Sequence, residues 1–160
     1  TSVCSFNKDS KGNNIIENSF RLINKKIVKD KKNWILKAAH DGYQKKYGVI
    51  HEREIEFIPE INKFIGKDKL IKKRNFKSSN FEIRFHLNPG VKITKTQDGT
   101  SALIELENSG WRFFCKDCNI DIETGLYFGL KNSYIENQNI FVSGVTKNED
   151  QIVSWEISKI

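Results

Sequence analysis

The stretch AAHDGYQKKYGVIHEREIEF, residues 38–57, decides the fold of this chain. After its second glycine, inward-facing candidates alternate with glutamates. One side of the extended chain would carry Val49, His51, Arg53, Ile55 and Phe57, and the other Glu52, Glu54 and Glu56. A period of two is typical of a half-buried β-strand. Residues 34–41 form the predicted partner strand, and 42–48, bounded by glycines, form the predicted turn. The stretch therefore predicts a β-hairpin with an acidic outer face.

The predicted hairpin gathers the candidate site residues His40, Tyr43, His51 and Arg53. A symmetric turn places His40 opposite His51, and opposed side chains on one face lie close enough to touch. In one interpretation these groups contact substrate or support those that do, with Arg53 meeting a uronate or sulfate bidentately and Tyr43 offering its ring or hydroxyl to a sugar. In the other they form a buried polar network in which imidazoles and guanidinium satisfy one another. The two histidines also admit a metal, although no third ligand is evident from the sequence.

Alternation continues in the rest of the chain. Residues 81–87 alternate apolar with polar side chains and turn His86 outward. Asp98-Gly99 is a strong hairpin signal and pairs Lys92 with Glu105 across the turn. The tripeptide Gly66-Lys67-Asp68, with apolar pairs on both sides, predicts another short hairpin. Most large aromatic side chains are predicted to point inward: Trp34, Phe57, Phe81, Phe85, Trp111, Phe113 and Trp155.

The whole pattern predicts an all-β chain. Further strands are expected over residues 1–6, 20–28, 91–97, 100–107, 111–115, 120–129, 140–145 and 152–157, with turn residues at 7–14. Roughly ten strands joined by short turns are typical of a layered antiparallel β-sandwich rich in hairpins and meanders. Almost no helix is expected, because no stretch keeps a 3.6-residue period. A length of 160 residues fits a single domain over residues 1–160.

The net charge of +7 and pI near 9.3 favour a polyanionic partner. Lysines and arginine cluster in two groups: Lys25, Lys26, Lys29, Lys31 and Lys32, then Lys67, Lys69, Lys72, Lys73, Arg74 and Lys77. Both groups are predicted to border turns, whereas a nucleic-acid-binding sheet would interleave basic residues with exposed aromatics, so no nucleic-acid partner is expected. No apolar run suits a membrane span, and no basic start followed by an apolar stretch indicates a signal peptide.

Three cysteines, Cys4, Cys115 and Cys118, do not make an even disulfide framework. Cys115 and Cys118 have the spacing of half a zinc site, but the sequence has no second pair. An incidental pair at a strand end is the interpretation we favour, and no metal ligand is assigned.

An ordered set of motifs resembles the C-terminal β-domain of heparinase II/III-like proteins, which are bacterial polysaccharide lyases. The set runs in this order: HDGY at 40–43, YG at 47–48, H-x-R at 51–53, GKDKL at 66–70, RFHLNPGV at 84–91 and GWRF at 110–113. The resemblance implies a helical toroid N-terminal to a layered β-sandwich, with the active site between them. It also implies β-elimination on a uronic-acid, glycosaminoglycan-like polysaccharide and a periplasmic or cell-envelope location.

By the same resemblance, the catalytic Asn and Tyr lie on the toroid, and the catalytic His and any zinc ligands precede the segment that begins at Thr1. We therefore expect this chain to be a C-terminal fragment without its own catalytic residues, inactive alone, with zinc possible only through upstream ligands. Its expected partners are the helical domain of the same protein and, through the whole protein, an acidic polysaccharide. A non-catalytic carbohydrate-binding β-sandwich is the alternative, and it would show a row of exposed aromatics.

Overall fold

The computed structural model describes residues 4–8, 14–18, 20–30, 32–131 and 133–160. Its described part is built from thirteen strands, one α-helical turn and one 3-10 turn. The strands are β1 Cys4–Lys8, β2 Asn14–Asn18, β3 Leu22–Lys29, β4 Trp34–His40, β5 Val49–Ile58, β6 Lys63–Lys72, β7 Asn80–His86, β8 Lys92–Lys95, β9 Ser101–Leu106, β10 Ser109–Lys116, β11 Asp121–Leu130, β12 Ser133–Val145 and β13 Gln151–Lys159. The short helices are α1 Gln44–Tyr47 and the 3-10 turn Pro59–Ile61. The predicted all-β class is confirmed.

Two antiparallel sheets face each other. The large sheet has the order β3-β4-β5-β6-β13-β10-β9-β8, and the small sheet has the order β11-β12-β7. A separate two-stranded sheet pairs β1 with β2. Buried Ile83, Ile140 and Val142 of the small sheet belong to one core cluster with Phe113 and Trp155 of the large sheet. This core makes the fold a sandwich, and β7 forms one edge of its small sheet.

The predicted central hairpin is confirmed down to its register. His40 lies opposite His51 in the pairing of β4 with β5. The connection, predicted only as a turn, contains the helical turn α1, which ends at Gly48 in a left-handed conformation (φ 65°). A side chain is disfavoured at such a φ, so glycine suits this position. The Asp98-Gly99 hairpin is confirmed as well, because Lys92 pairs with Glu105.

The predicted hairpin at Gly66-Lys67-Asp68 is wrong. Lys63–Lys72 is one continuous strand, paired with β5 on one side and β13 on the other. Gly66 is there because the Trp155 side chain lies directly over it: a Cβ at this position would come within 2.1 Å of the indole. Asp68 is completely buried. Glycine and aspartate, two residue types that favour turns, therefore lie in the middle of a strand. Gly66 allows the close approach of Trp155, and Asp68 makes a buried contact.

One end of the large sheet remains exposed on its inner face. Ile27 pairs with Leu36, which in turn pairs with Ile55 on the next strand. Trp34 pairs with Phe57. Their exposed fractions are 65% for Ile27, 45% for Leu36 and 46% for Trp34. The prediction that Trp34 points into the core is therefore wrong in its burial, although its face is the expected one.

Several expectations near the N-terminus lie partly outside the described residues. The predicted opening strand includes residues 1–3 and the predicted turn includes 9–13, none of which the structure describes. Residues 7 and 8 belong to β1, and β2 was not predicted. Lys67 and Lys69 lie within β6 rather than beside a turn. Neither short helix in the described part is long and apolar enough to cross a bilayer.

Candidate functional site

A cleft of about 600 Å³ opens between the inner face of the large sheet and the edge strand β7. Its walls come from three places: α1 and the start of β5, the strand β7, and the segments that flank β7 and β12. The lining residues are Tyr43, Tyr47, Val49, His51, Arg53, Leu70, Ser79, Asn80, Phe81, Glu82, Ile83, Arg84, His86 and Thr146. Three of the four candidates predicted from sequence, Tyr43, His51 and Arg53, therefore line one cavity.

A single carboxylate, Asp68, organises the floor of this cleft. Arg53 donates to it through Nε (2.7 Å to Oδ1) and Nη2 (3.1 Å to Oδ2). His51 Nε2 lies 2.6 Å from Oδ1, and the Trp155 indole N–H donates to Oδ2 at 2.7 Å. Each carboxylate oxygen thus has two partners, which come from β5 and β13 on either side of β6.

The two histidines continue this network outward in a line. His51 Nδ1 lies 3.2 Å from His40 Nε2, and the Gly42 N–H donates to His40 Nδ1 at 3.3 Å. Since an ionised Asp68 only accepts hydrogen bonds, His51 carries its proton on Nε2. His51 Nδ1 then accepts from the Nε2–H of His40, and His40 Nδ1 accepts from the Gly42 N–H. One tautomer of each imidazole satisfies every contact in the row.

Burial and hydrogen bonding set the protonation states of the site. Burial would raise the pKa of the Asp68 carboxyl, but hydrogen bonds from His51, Arg53 and Trp155 and the Arg53 charge outweigh it, so its pKa is lowered. Burial, followed by the proximity of His51, lowers the pKa of His40. Burial also raises the pKa of the Tyr43 phenol. At neutral pH the site therefore holds an ionised Asp68, a neutral His40 and a protonated Tyr43 hydroxyl.

The opposite wall carries a second guanidinium, that of Arg84. Glu82 accepts from Arg84 Nη2 at 2.6 Å, and Glu123 forms an ion pair with Nη1. His86 Nδ1 lies 2.9 Å from Asn139 Oδ1, and the predicted outward position of His86 is confirmed by its exposure. Both walls therefore hold their charged groups in fixed orientations.

This geometry favours the polar-network interpretation of the predicted cluster. Both ring nitrogens of His51 have protein partners, and the Nε–Nη2 edge of Arg53 is taken up by Asp68. The edge that would grip a uronate bidentately is thus already engaged. Tyr43, whose ring lies 5.2 Å from that of His40, is the member of the cluster placed to offer a hydroxyl to the cleft.

Sequence reasoning missed Asp68, Trp155 and Arg84. A signal for Asp68 was present in the sequence, where Gly66, Asp68 and Leu70 alternate with Lys67 and Lys69, and the structure buries the first three. The turn-like composition of the tripeptide obscured that period. Trp155 was correctly predicted to point inward, but nothing in the sequence links its indole to a carboxylate 87 positions away.

The described residues do not fit a zinc ion. Zinc needs three or four donors that converge on one point, whereas His40, His51 and Asp68 form a row in which each donor faces its neighbour. In the described part of the chain, no group of three or more potential ligands gathers at one place. Cys115 is fully buried with Cys118 beside it, and both are free thiols. We derive no metal chemistry from these residues.

Comparisons with known proteins agree with this architecture. The family described as heparinase II/III-like, C-terminal, matches residues 3–156. A search of curated proteins by sequence finds no match. Among solved structures, the heparan sulfate lyase HepC from Pedobacter heparinus is similar with a TM-score of 0.74 and 12% identity over 99% of this chain. A heparinase III gene product is similar with a TM-score of 0.72 and 14% identity over 87% of this chain.

The chain corresponds to only a part of these neighbours. It spans 24% of the HepC chain and 21% of the heparinase III chain. At these identities the structural likeness establishes the fold, and the family match establishes kinship over nearly the whole sequence. The chain belongs to the heparinase II/III-like family and is a C-terminal domain of that type.

Proposed function

We propose that this chain is the β-sandwich domain of a polysaccharide lyase that cleaves a uronic-acid-containing, glycosaminoglycan-like polymer by β-elimination. The observation that carries the proposal is the family match over residues 3–156. A fold shared with a heparan sulfate lyase supports it. Because the chain spans about a quarter of that lyase, we assign the main catalytic groups and the helical domain to other parts of the full-length protein.

The proposed reaction has a simple balance of bonds. A base removes the C5 proton of the uronate, and the electron pair left behind forms the C4–C5 double bond. The C4–O4 bond breaks, and an acid gives O4 its proton. A neighbouring donor group stabilises the negative charge that builds up on the uronate carboxylate.

The residues of this chain contribute support to that reaction. The ionised Asp68 balances the charge of Arg53, and the hydrogen-bonded row of His51 and His40 extends from it, so the network holds one wall of the cleft in place. Tyr43 keeps its proton and serves as a hydroxyl donor or ring surface for a sugar. No member of the cluster is assigned as the base, because the ring nitrogens of His51 face protein atoms.

The test is to incubate the full-length protein with glycosaminoglycans, alginate and bacterial uronans and to follow the ultraviolet absorbance of unsaturated ends. Turnover of at least one uronate polymer is expected, with none on a neutral polymer. The separate 160-residue chain is expected to show no turnover, and cell fractionation should place the protein in the periplasm or cell envelope. A well-folded full-length protein that is silent on every uronate polymer would refute the lyase assignment.

A second candidate, a non-catalytic carbohydrate-binding domain, is favoured by one specific observation. On the hairpin of β11 and β12, Phe128 is 71% and Tyr134 62% exposed, and their ring centres lie 6.0 Å apart. Exposed neighbouring rings can stack on sugars. Loss of polysaccharide binding in a Phe128→Ala, Tyr134→Ala double variant of a protein without lyase activity would favour this candidate.

A further inference from the structure

Basic side chains concentrate beside the cleft, on segments that adjoin its lining residues Tyr47 and Ser79. Two segments supply them: the helical turn α1 and residues 73–77, which follow β6. We call this group the basic rim, and it consists of Lys45, Lys46, Lys73, Arg74 and Lys77. Four of the five are exposed and Lys73 is half-buried. The two segments are distant in the sequence, and the fold brings them together.

Backbone contacts fix the two halves of the basic rim to each other. The Lys73 N–H donates to the Gly48 carbonyl at 2.8 Å, and the Lys77 N–H donates to the Tyr47 carbonyl at 2.9 Å. Between these bonds the chain passes directly over Gly48, where a Cβ would lie 2.4 Å from the Asn75 carbonyl carbon. The cations are therefore attached to one rigid unit, which lowers the entropy lost when a ligand engages several of them.

This rigid unit borders the cleft itself. Tyr47, at the end of α1, lines the cavity, and Lys46 Nζ lies 5.1 Å from the centre of its ring. On the other side, Ser79 and Asn80 line the cavity shortly after Lys77. A chain entering the cleft would therefore pass the basic rim.

Unlike several lysines of the large sheet, the residues of the basic rim form no ion pair with a carboxylate in the described part of the chain. Lys37 pairs with Glu52 at 2.9 Å and Lys63 with Glu156 at 2.6 Å. Within the described ranges, none of the five rim residues forms an ion pair. A nearby acid, Asp150, already binds Lys69 (3.2 Å) and the Lys72 N–H (3.0 Å). Positive charge without an ion pair in the described part of the chain therefore collects beside the cleft, and the nearby acid, Asp150, is shared with Lys69.

We propose that the basic rim is an anchoring site for an acidic polysaccharide and holds the polymer beside the cleft. The site rests on the charge and rigidity described above, while the identity of the polymer rests on the proposed function. Several fixed cations attract a polymer that carries a negative charge at regular intervals. Single-stranded nucleic acid fits less well, because it needs exposed aromatic faces for stacking, whereas Tyr43 and Tyr47 are only half-exposed.

The test compares two variants of the full-length protein that lose the same charge. The rim variant carries Lys46→Ala, Arg74→Ala and Lys77→Ala. The control carries Lys25→Ala, Lys92→Ala and Lys116→Ala, which are also exposed and have no ion-pair partner in the described part of the chain. Binding of a size-defined, fluorescently labelled heparan sulfate oligosaccharide is measured at several salt concentrations, together with binding of hyaluronan, neutral dextran and single-stranded DNA of equal length.

With three surface charge contacts removed, the rim variant should bind the heparan sulfate oligosaccharide about tenfold more weakly and with a shallower salt dependence, while the control stays within about twofold of wild type. Neutral dextran should not bind. Equal losses in rim and control variants, or DNA bound more tightly than either uronate polymer, would overturn the proposal. Because the assay measures binding and not turnover, its result can be interpreted even if the protein has no lyase activity. An absence of lyase activity would count against the proposed function alone.

Discussion

Replacing Asp68 by asparagine should be among the most damaging single changes in the described part of the chain. The carboxylate is completely buried and has four partners, three from Arg53 and Trp155 and one from His51. An amide keeps one oxygen for two of these contacts and turns an NH₂ group toward the other two donors. Two hydrogen bonds to a charged acceptor are lost and Arg53 loses its counter-ion, so we expect a loss of about 3–5 kcal/mol in the free energy of unfolding.

The assay is urea denaturation followed by tryptophan fluorescence, for which Trp155 is a reporter inside the network. Asp121→Asn is the matched control: it removes an exposed carboxylate that pairs with Lys95 at 2.7 Å, and it should cost no more than about 1 kcal/mol. Adding Arg53→Met to Asp68→Asn removes the uncompensated guanidinium, so the double variant should be less destabilised than the two single changes summed, by about 0.5–3 kcal/mol. An Asp68→Asn variant within about 1 kcal/mol of wild type would refute the reasoning.

Three further predictions concern neighbouring residues. Gly66→Ala puts a methyl group into the Trp155 indole, 2.1 Å from its nearest atoms, so a clear fall in thermal midpoint and a shifted tryptophan emission are expected; an unchanged midpoint would contradict the close packing. Because the pKa of His40 is lowered on folding, its contribution to stability is complete above the ordinary value of 6.5 and is lost as pH falls through the lowered pKa. A His40→Gln variant should therefore show a flatter stability profile across that range than wild type, and identical slopes would count against it. Burial raises the pKa of the Cys115 thiol, so iodoacetamide should label Cys115 only when urea unfolds the chain, and rapid labelling of the native protein would be the contrary result.

The sequence predicted the strands whose two faces differ in polarity. The register that opposes His40 to His51 followed from alternation and loop symmetry alone, and the pairing of Lys92 with Glu105 followed from a two-residue turn. In both cases a slip by one residue would turn a whole strand inside out. Sequence reasoning therefore identified those members of the cleft cluster that lie on this one hairpin.

Asp68 shows why the rest could not be predicted. Glycine and aspartate are favoured in turns, and local preference gave a hairpin where the structure has a central strand. The competing cause is tertiary: an indole from the far end of the chain occupies the space above Gly66 and donates to Asp68. Trp34 gives a similar lesson, because its face was predictable from alternation but its exposure depends on how far the small sheet extends.

Four donor groups from neighbouring strands converge on the Asp68 carboxylate. This arrangement restricts which substitutions related sequences can accept. Arg53, His51 and Trp155 each direct a polar group to Asp68, so changing the aspartate alone leaves their buried polar groups without a partner. Replacing the whole set by apolar side chains of similar volume carries no such penalty. In related sequences these positions should accordingly change together or not at all, and a lineage that has lost the aspartate should have lost the arginine with it.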